Sequence, residues 1–171
     1  MLVKCYGQYW NPDVVNWSGG IGGDGFLHGD IRRDRVKYKI DFWKARGIYV
    51  LYSDFKAVYV GKAYKTSIGK RLRDHLTDRM AGRWDMFSWY SVSSPRITQG
   101  DVSQPGQRQL TPETVIGTLE ALAILIADPA LNRKRESFTD AYEATQSGLV
   151  MPRTIRSYLQ EILTNVDGPA K

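Results

Sequence analysis

Two polar side chains of the central region have a type and spacing that suit chemistry on a phosphate ester. Arg71 and His75 lie four residues apart in a segment that predicts a helix, so both occupy one helix face. An arginine carries a permanent charge on a planar fork that can bind the non-bridging oxygens of a phosphate. The same pair is also typical of an ordinary solvated helix face, and the spacing alone leaves both interpretations open.

A carboxylate in a later segment is the second candidate. Glu120 is the only ionisable residue between Glu113 and Asp128, and its neighbours at helical spacing include Ile116 and Ile124. An unpaired carboxylate on such an apolar face is costly, so we expect an arginine, a metal ion or water in a cleft as its partner. A buried ion pair or a helix rim near solvent would explain the pattern equally well.

The elements that must position these residues follow from the hydrophobic pattern. Segments 47–52 and 57–63 predict two strands, with Tyr49 and Tyr59 at their centres. The two tyrosines share a sheet face only if paired residue numbers sum to 110; a sum of 109 places them on opposite faces. We predict a small α+β domain with a three-stranded antiparallel sheet. Its other elements are a helix over 66–80, a strand over 84–92, a long loop over 93–112, a helix from Pro112 to Pro129 capped by Thr111, and an amphipathic helix over 152–165.

Composition limits the class of protein. The chain has 171 residues, enough for one well-cored domain, and its net charge of +6 favours an anionic partner such as nucleic acid or a membrane surface. Cys5 is the only cysteine, which excludes an internal disulfide and a cysteine-based zinc site. The longest apolar run, 121–127, is far shorter than the roughly 20 residues of a membrane span. We therefore expect a soluble, cytoplasmic protein without a signal peptide.

Five motifs occur together in one order, and their combination resembles a known family. The chain is similar to the GIY-YIG nuclease superfamily, whose catalytic domain occurs in excision-repair, homing and restriction endonucleases. Val60 stands where the family name has isoleucine. The resemblance implies a three-stranded antiparallel sheet flanked by helices over residues 45–135, an N-terminal extension over 1–44 and a C-terminal helical extension over 136–171. The motifs are "GIY" at 47–49, "YVG" at 59–61, "KRLRDH" at 70–75, Glu120 and "ALNRKR" at 130–135.

The resemblance also implies roles for individual residues. Tyr49 would orient or deprotonate the attacking water, Arg71 would hold the scissile phosphate, and Glu120 would bind Mg²⁺ or Mn²⁺. Tyr59 and His75 complete the implied catalytic set. Contacts with the substrate or support for the site are implied for Gly61, Lys62, Asn132, Arg133 and Arg135.

Elementary chemistry agrees with this combination of groups. Hydrolysis of a phosphodiester places negative charge on the phosphorus oxygens and on the leaving oxygen, which Arg71 and a cation can stabilise. A magnesium ion keeps most of its waters, so the single carboxylate of Glu120 can hold it. A tyrosine with a pKa near 10 is a poor base at neutral pH, so Tyr49 needs a cationic neighbour such as Lys62 or a metal-bound water.

These observations predict a metal-dependent DNA endonuclease, and a compact, basic chain of this kind would suit restriction or anti-phage defence. A homodimer through the helix at 152–165 would let one chain cut each strand. The alternative is a nucleic-acid-binding module, or an adaptor subunit of a repair or defence complex, with weak or no cleavage of its own. The residues do not exclude RNA as the substrate.

Overall fold

The computed structural model describes residues 2–19, 21–106, 110–127, 138 and 140–148. These residues form both strands and helices, so the predicted α+β class is confirmed. The strands are β1 (Cys5–Trp10), β2 (His28–Arg33), β3 (Val36–Asp41), β4 (Gly47–Ser53), β5 (Lys56–Ala63), β6 (Met86–Ser91), β7 (Pro95–Arg96), β8 (Asp101–Val102), β9 (Tyr142–Glu143) and β10 (Thr145–Gln146). The helices are α1 (Ile68–Asp74) and α2 (Pro112–Ala127).

The main sheet has five strands in the order β5-β4-β6-β1-β9. Its first four strands pair in antiparallel fashion, and β9 runs parallel to β1. The three predicted strands are therefore present as β4, β5 and β6, but the sheet contains two more strands than the resemblance implies. Strand β1 comes from residues 1–44, which the sequence predicted as an extension, so the division at residue 44 does not separate two sheets.

A second, three-stranded sheet has the order β10-β2-β3. Strands β2 and β3 form a hairpin whose base is anchored by Ile31 and Ile40, both completely buried. A further two-stranded hairpin, β7–β8, forms inside the segment 93–112 that was predicted as a loop.

The two helices agree with the sequence to different degrees. Helix α2 begins at Pro112 as predicted, and the backbone N–H of Thr114 donates to the Thr111 hydroxyl at 3.2 Å. Helix α1 was predicted to reach residue 80 but ends at Asp74. Beyond it, the Asp78 carboxylate accepts a hydrogen bond from the backbone N–H of Met80 at 2.7 Å. Such a local side-chain contact competes with continued helical bonding, which explains the early end.

The helices pack against opposite faces of the main sheet. Tyr49 and Leu51 belong to a buried cluster that includes Leu72 of α1. Their neighbours on the same strand, Val50 and Tyr52, face the other way and pack in a cluster that includes Ala121 and Leu125 of α2. This follows from the alternation of side chains along a strand.

None of the helices in the described part of the chain combines the length and hydropathy that crossing a membrane requires. The helix predicted over 152–165, and with it the predicted dimer contact, lies outside the described residues.

Candidate active site

The turn between β4 and β5 determines which face each tyrosine occupies. Asp54 and Phe55 form a two-residue turn with φ values of 49° and 61°, the backbone signs of a type I′ hairpin. Next to the turn, Tyr52 pairs with Ala57, but beyond a register shift Leu51 pairs with Tyr59. The shift inserts one extra residue into β5 and changes the pairing sum from 109 to 110.

The tyrosines therefore share a face, as the functional interpretation required. Tyr49 pairs directly with Gly61, and the ring centroids of Tyr49 and Tyr59 are 6.1 Å apart. A Cβ atom on Gly61 would lie only 2.2 Å from the Cζ and hydroxyl oxygen of Tyr49. Gly61 is buried beneath this ring, and its lack of a side chain provides the space that Tyr49 occupies.

A hydrogen-bonded chain runs from the strand to the end of helix α1. The Tyr49 hydroxyl lies 2.7 Å from Nε2 of His75, and Nδ1 of His75 lies 2.7 Å from Oδ2 of Asp78. A carboxylate only accepts, so Nδ1–H donates to Asp78; in the neutral imidazole, Nε2 is then the acceptor for the Tyr49 hydroxyl. The arrangement is that of a hydroxyl group, a histidine that can act as a base, and a carboxylate that orients the histidine.

Asp78 was not predicted as a site residue from the sequence. Its signal in the sequence is the spacing of three residues from His75 within the segment 66–80 that predicts a helix, where such residues share one face; in the structure α1 ends at Asp74 and the following turn makes the contact. The carboxylate has a lowered pKa, chiefly because it accepts a backbone hydrogen bond from Met80, with His75 contributing as well. Asp78 is therefore negatively charged beside the imidazole at neutral pH.

Arg71 lies beside this chain at the protein surface. Its side chain is 34% exposed, its guanidinium is 3.5 Å from the Asp74 carboxylate, and it also interacts with the Tyr49 hydroxyl. Burial raises the pKa of Tyr49 to about 12, the Arg71 charge lowers this pKa in part, and Tyr59 raises it. The phenol is thus protonated at neutral pH, in agreement with its donation to His75. The cation that lowers the pKa of Tyr49 is Arg71, whereas the sequence suggested Lys62 or a metal-bound water.

An open groove adjoins the buried chain. It has a volume of about 600 Å³, and six described residues line it, three of them cationic. No carboxylate is among the described residues that line the groove, so this lining suits an anionic ligand. The lining residues are Tyr59, Lys62, Tyr64, Lys65, Thr66 and Arg71.

Burial separates the residues that can reach a ligand from those that cannot. Tyr49 is 0% exposed and His75 is 2% exposed, so both lie behind the groove wall. Tyr59 is partly exposed and stands between them and solvent, with its ring 5.1 Å from that of His75. Of the predicted catalytic residues, Arg71 and Tyr59 therefore both contact the hydrogen-bonded group of Tyr49, His75 and Asp78 and face the groove.

The structure does not bring Glu120 to this cluster. Glu120 is exposed on α2, which packs on the sheet face opposite Tyr49, so its carboxylate does not lie on a buried apolar face. The buried stripe of α2 consists of Thr118, Ala121 and Leu125, which turns Glu120 toward solvent. Of the alternatives that the sequence left open, the helix rim near solvent is the one observed.

The described residues contain no group of three or more histidine, cysteine, aspartate or glutamate side chains that could hold the implied metal ion. Among the described residues, the carboxylates of Asp74 and Asp78 are paired with Arg71 and His75. In this arrangement the residues around Tyr49 do not fit the implied cation. The implied contacts Asn132, Arg133 and Arg135 lie outside the described residues.

Comparison with protein-family models, with curated proteins and with solved structures gave no match to this chain. The likeness to the nuclease superfamily therefore rests on the five sequence motifs. The chemistry of the site rests on the geometry of Tyr49, Tyr59, Arg71, His75 and Asp78.

Proposed function

We propose that the chain is an endonuclease that hydrolyses phosphodiester bonds in DNA. The observation that carries this proposal is the hydrogen-bonded chain of Tyr49, His75 and Asp78, which ends beside Arg71 at the wall of a basic groove. A proton acceptor and a phosphate-binding cation at one place are the two components that hydrolysis of a phosphodiester needs.

The groove supplies the binding of the phosphate. Arg71 can hold two non-bridging oxygens through its fork, and Lys62 and Lys65 add positive charge along the same groove. Because charge on these oxygens grows during the reaction, fixed cations stabilise the transition state more than the bound substrate. A phosphate on Arg71 would lie next to the Tyr49 hydroxyl, with which Arg71 already interacts.

The buried chain supplies a route for the proton. A water attacking the phosphorus forms a new P–O bond while the P–O bond to the leaving oxygen breaks, and that oxygen takes up a proton from water in the open groove. The attacking water gives its proton to Tyr59, which faces the groove, as Tyr59 passes its own proton to Tyr49 and Tyr49 passes its proton to Nε2 of His75. Both phenols are neutral before and after the transfer, so the high pKa of Tyr49 is no obstacle. The Asp78 carboxylate stabilises the imidazolium that results.

Magnesium or manganese dependence remains part of the proposal through the family resemblance alone. The carboxylate of Glu120 is exposed and accessible to a hydrated cation, but it belongs to a helix on the other face of the sheet. The steps above are therefore assigned to the side chains of the cluster, and divalent cations enter as a variable of the experiment.

Cleavage of supercoiled plasmid tests the function. The native chain is incubated with plasmid in Mg²⁺, in Mn²⁺ and in chelator, alongside Arg71→Gln and the matched control Lys56→Gln, an exposed cation outside the groove. We expect nicked or linear product from the native chain and the control, and a loss of about 10²-fold or more for Arg71→Gln. Equal cleavage by both variants, or no cleavage by the native chain in any condition, would refute the proposal.

A second candidate function is binding of nucleic acid without cleavage. It is favoured by the burial of Tyr49 and His75, because the residues that face the groove are then suited to holding a phosphate. Retention of DNA that depends on Arg71, with no product under any divalent cation, would be the result expected for this function.

A defence role and the choice between DNA and RNA are tested by repeating the assay on RNA and on phage DNA.

A further inference from the structure

The outer part of the β2–β3 hairpin is strongly basic. Residues 32–39 contain five lysines and arginines and one aspartate, a net charge of +4, whereas Asp30 and Asp41 nearer the base bring the net charge of the whole hairpin, residues 28–41, to +2. Seven of these eight residues are exposed, and Tyr38 is half-buried. This hairpin is separate from the residues that line the groove at Arg71.

The hairpin presents cations in several directions. Its pairing places Arg32 opposite Lys37 on one face and Arg33 opposite Val36 on the other, since side chains alternate along each strand. Arg35 lies in the two-residue turn at the tip. At its base, Ile31 and Ile40 are fully buried, which fixes the ribbon to the rest of the protein.

Some of the hairpin cations have no acidic partner among the described residues. Lys37 is 2.9 Å from Asp30, and Arg33 is 3.5 Å from Asp34. Among the described residues, Arg32 and Arg35 take part in no salt bridge. Keeping like charges together costs free energy, which an anionic partner would offset.

We propose that the β2–β3 hairpin is a second DNA-binding element, a basic ribbon that contacts the phosphate backbones on both sides of a duplex groove. The proposal rests on DNA being the ligand in the proposed function. A two-stranded ribbon fits the major groove, which is about 12 Å wide. Cations at the tip and on both faces suit a groove bordered by phosphates on two sides.

An anionic membrane surface suits the hairpin less well. Membrane-binding elements combine cations on one side with a large apolar side on the other, where aromatic or leucine side chains enter the lipid. The exposed tip offers Val36 as its apolar residue, flanked by charges on both faces. Nucleic acid is therefore the partner that the charge distribution favours.

Such an element would add affinity and leave the chemistry to the groove. Removing one cation that binds a phosphate should reduce the slope of log K against log salt by about 0.9. Removing both Arg32 and Arg35 should therefore reduce that slope by about 2 and weaken binding by about tenfold at moderate salt.

The test compares two double variants with equal loss of charge. Arg32→Gln with Arg35→Gln removes two hairpin cations, and Lys56→Gln with Arg83→Gln removes two exposed cations elsewhere. Affinity for a labelled DNA duplex is measured by fluorescence anisotropy in chelator across a salt series, and the cleavage rate is measured with enzyme in excess at saturation. We expect about tenfold weaker binding for the hairpin variant alone, with its saturated rate unchanged.

The lysine variant, Arg32→Lys with Arg35→Lys, retains the charge and should restore binding. Equal affinity of the two glutamine variants for duplex would overturn the proposal, as would tighter binding of the native chain to vesicles of anionic lipid than to duplex. Hairpin-dependent binding in a chain that cleaves nothing would refute the proposed endonuclease and leave this inference standing. Thermal unfolding by circular dichroism confirms that each variant is folded.

Discussion

The Tyr49 hydroxyl lies 2.7 Å from Nε2 of His75, and this contact joins strand β4 to the end of helix α1. Both residues are buried, so the hydrogen bond forms away from competing water. The other imidazole nitrogen is held by Asp78, which fixes the tautomer that receives the tyrosine proton. The catalytic proposal thus depends on a residue outside the family motifs.

Asp78→Asn provides the sharpest test of that residue. The amide oxygen can still accept from Nδ1–H, but the negative charge that stabilises an imidazolium is removed. We expect single-turnover cleavage to fall by about 10²-fold or more while duplex binding is retained. Glu113→Gln, at an exposed carboxylate of α2, is the matched control.

The effect should also be non-additive with loss of the histidine. Residues that act as a unit lose little more when both are changed, so Asp78→Asn combined with His75→Gln should cleave no more slowly than His75→Gln alone. A native cleavage rate in Asp78→Asn would show that Asp78 does not act through His75. A double variant whose loss of cleavage rate equals the product of the two single losses would show the same.

Gly61 is predicted to be indispensable for packing. In Gly61→Ala the new methyl group would lie 2.2 Å from the Tyr49 ring, so the ring or the strand must shift. We expect a loss of about 1–3 kcal/mol in the free energy of unfolding, measured with urea, together with a loss of cleavage. Gly117→Ala is the control, because a Cβ there meets open space within α2 and should stabilise the helix by about 0.5–1 kcal/mol. Unchanged stability of Gly61→Ala would show that the close contact is relieved at no cost.

The hairpin of β4 and β5 was predictable because its determinants are local. Alternating β-branched and aromatic residues define the strands. The sequence left the register open between pairing sums of 109 and 110, and the register shift between Leu51 and Tyr52 that places Tyr49 and Tyr59 on one face was not predicted. Strand β1 was not predictable in the same way, because Cys5 pairs with Ser91, a partner that local patterns do not identify.

The exposure of Glu120 was not predictable from the sequence for a different reason. Helix α2 is apolar on nearly every side, and even Ile116 and Leu119 are exposed, at 65% and 61%. When apolar residues surround a helix, their periodicity does not tell which side is buried. The tertiary packing of Ala121 and Leu125 decides it, and that information is not contained in the segment.

Alkaline pH should weaken the fold through buried groups that the folded chain keeps protonated. Burial raises the pKa of Tyr49 from 10.0 to about 12 and that of Cys5 from 9.0 to about 12, and it also raises the pKa values of Tyr52 and Tyr90. Their stabilising contribution is complete below the ordinary pKa values. As the pH rises toward about 12, the unfolded chain releases protons that the folded chain retains, so the free energy of unfolding falls.

Urea unfolding followed by tryptophan fluorescence, at a series of pH values from neutral upward, measures this decline. The decline above pH 10.0 should be shallower in Tyr49→Phe, which lacks the ionisable phenol. Tyr64→Phe, at a tyrosine that is 76% exposed, is the matched control. The same slope in Tyr49→Phe and the native chain would mean that the Tyr49 phenol is not held neutral by the fold.

Glu120→Gln separates the structural from the functional meaning of this acid. Because Glu120 is exposed, we expect the substitution to change the free energy of unfolding by no more than about 0.5 kcal/mol, as in the control Glu113→Gln. A clear loss of stability would contradict its position at the solvent side of α2 and indicate a buried ion pair. With stability unchanged, plasmid cleavage in Mg²⁺ then tests the role that the family resemblance implies. If Glu120 holds the cation when DNA is bound, we expect the cleavage rate to fall by orders of magnitude in Glu120→Gln and to stay unchanged in Glu113→Gln. A near-native cleavage rate in Glu120→Gln excludes that role. The reaction is then left to the hydrogen-bonded residues Tyr49, His75 and Asp78.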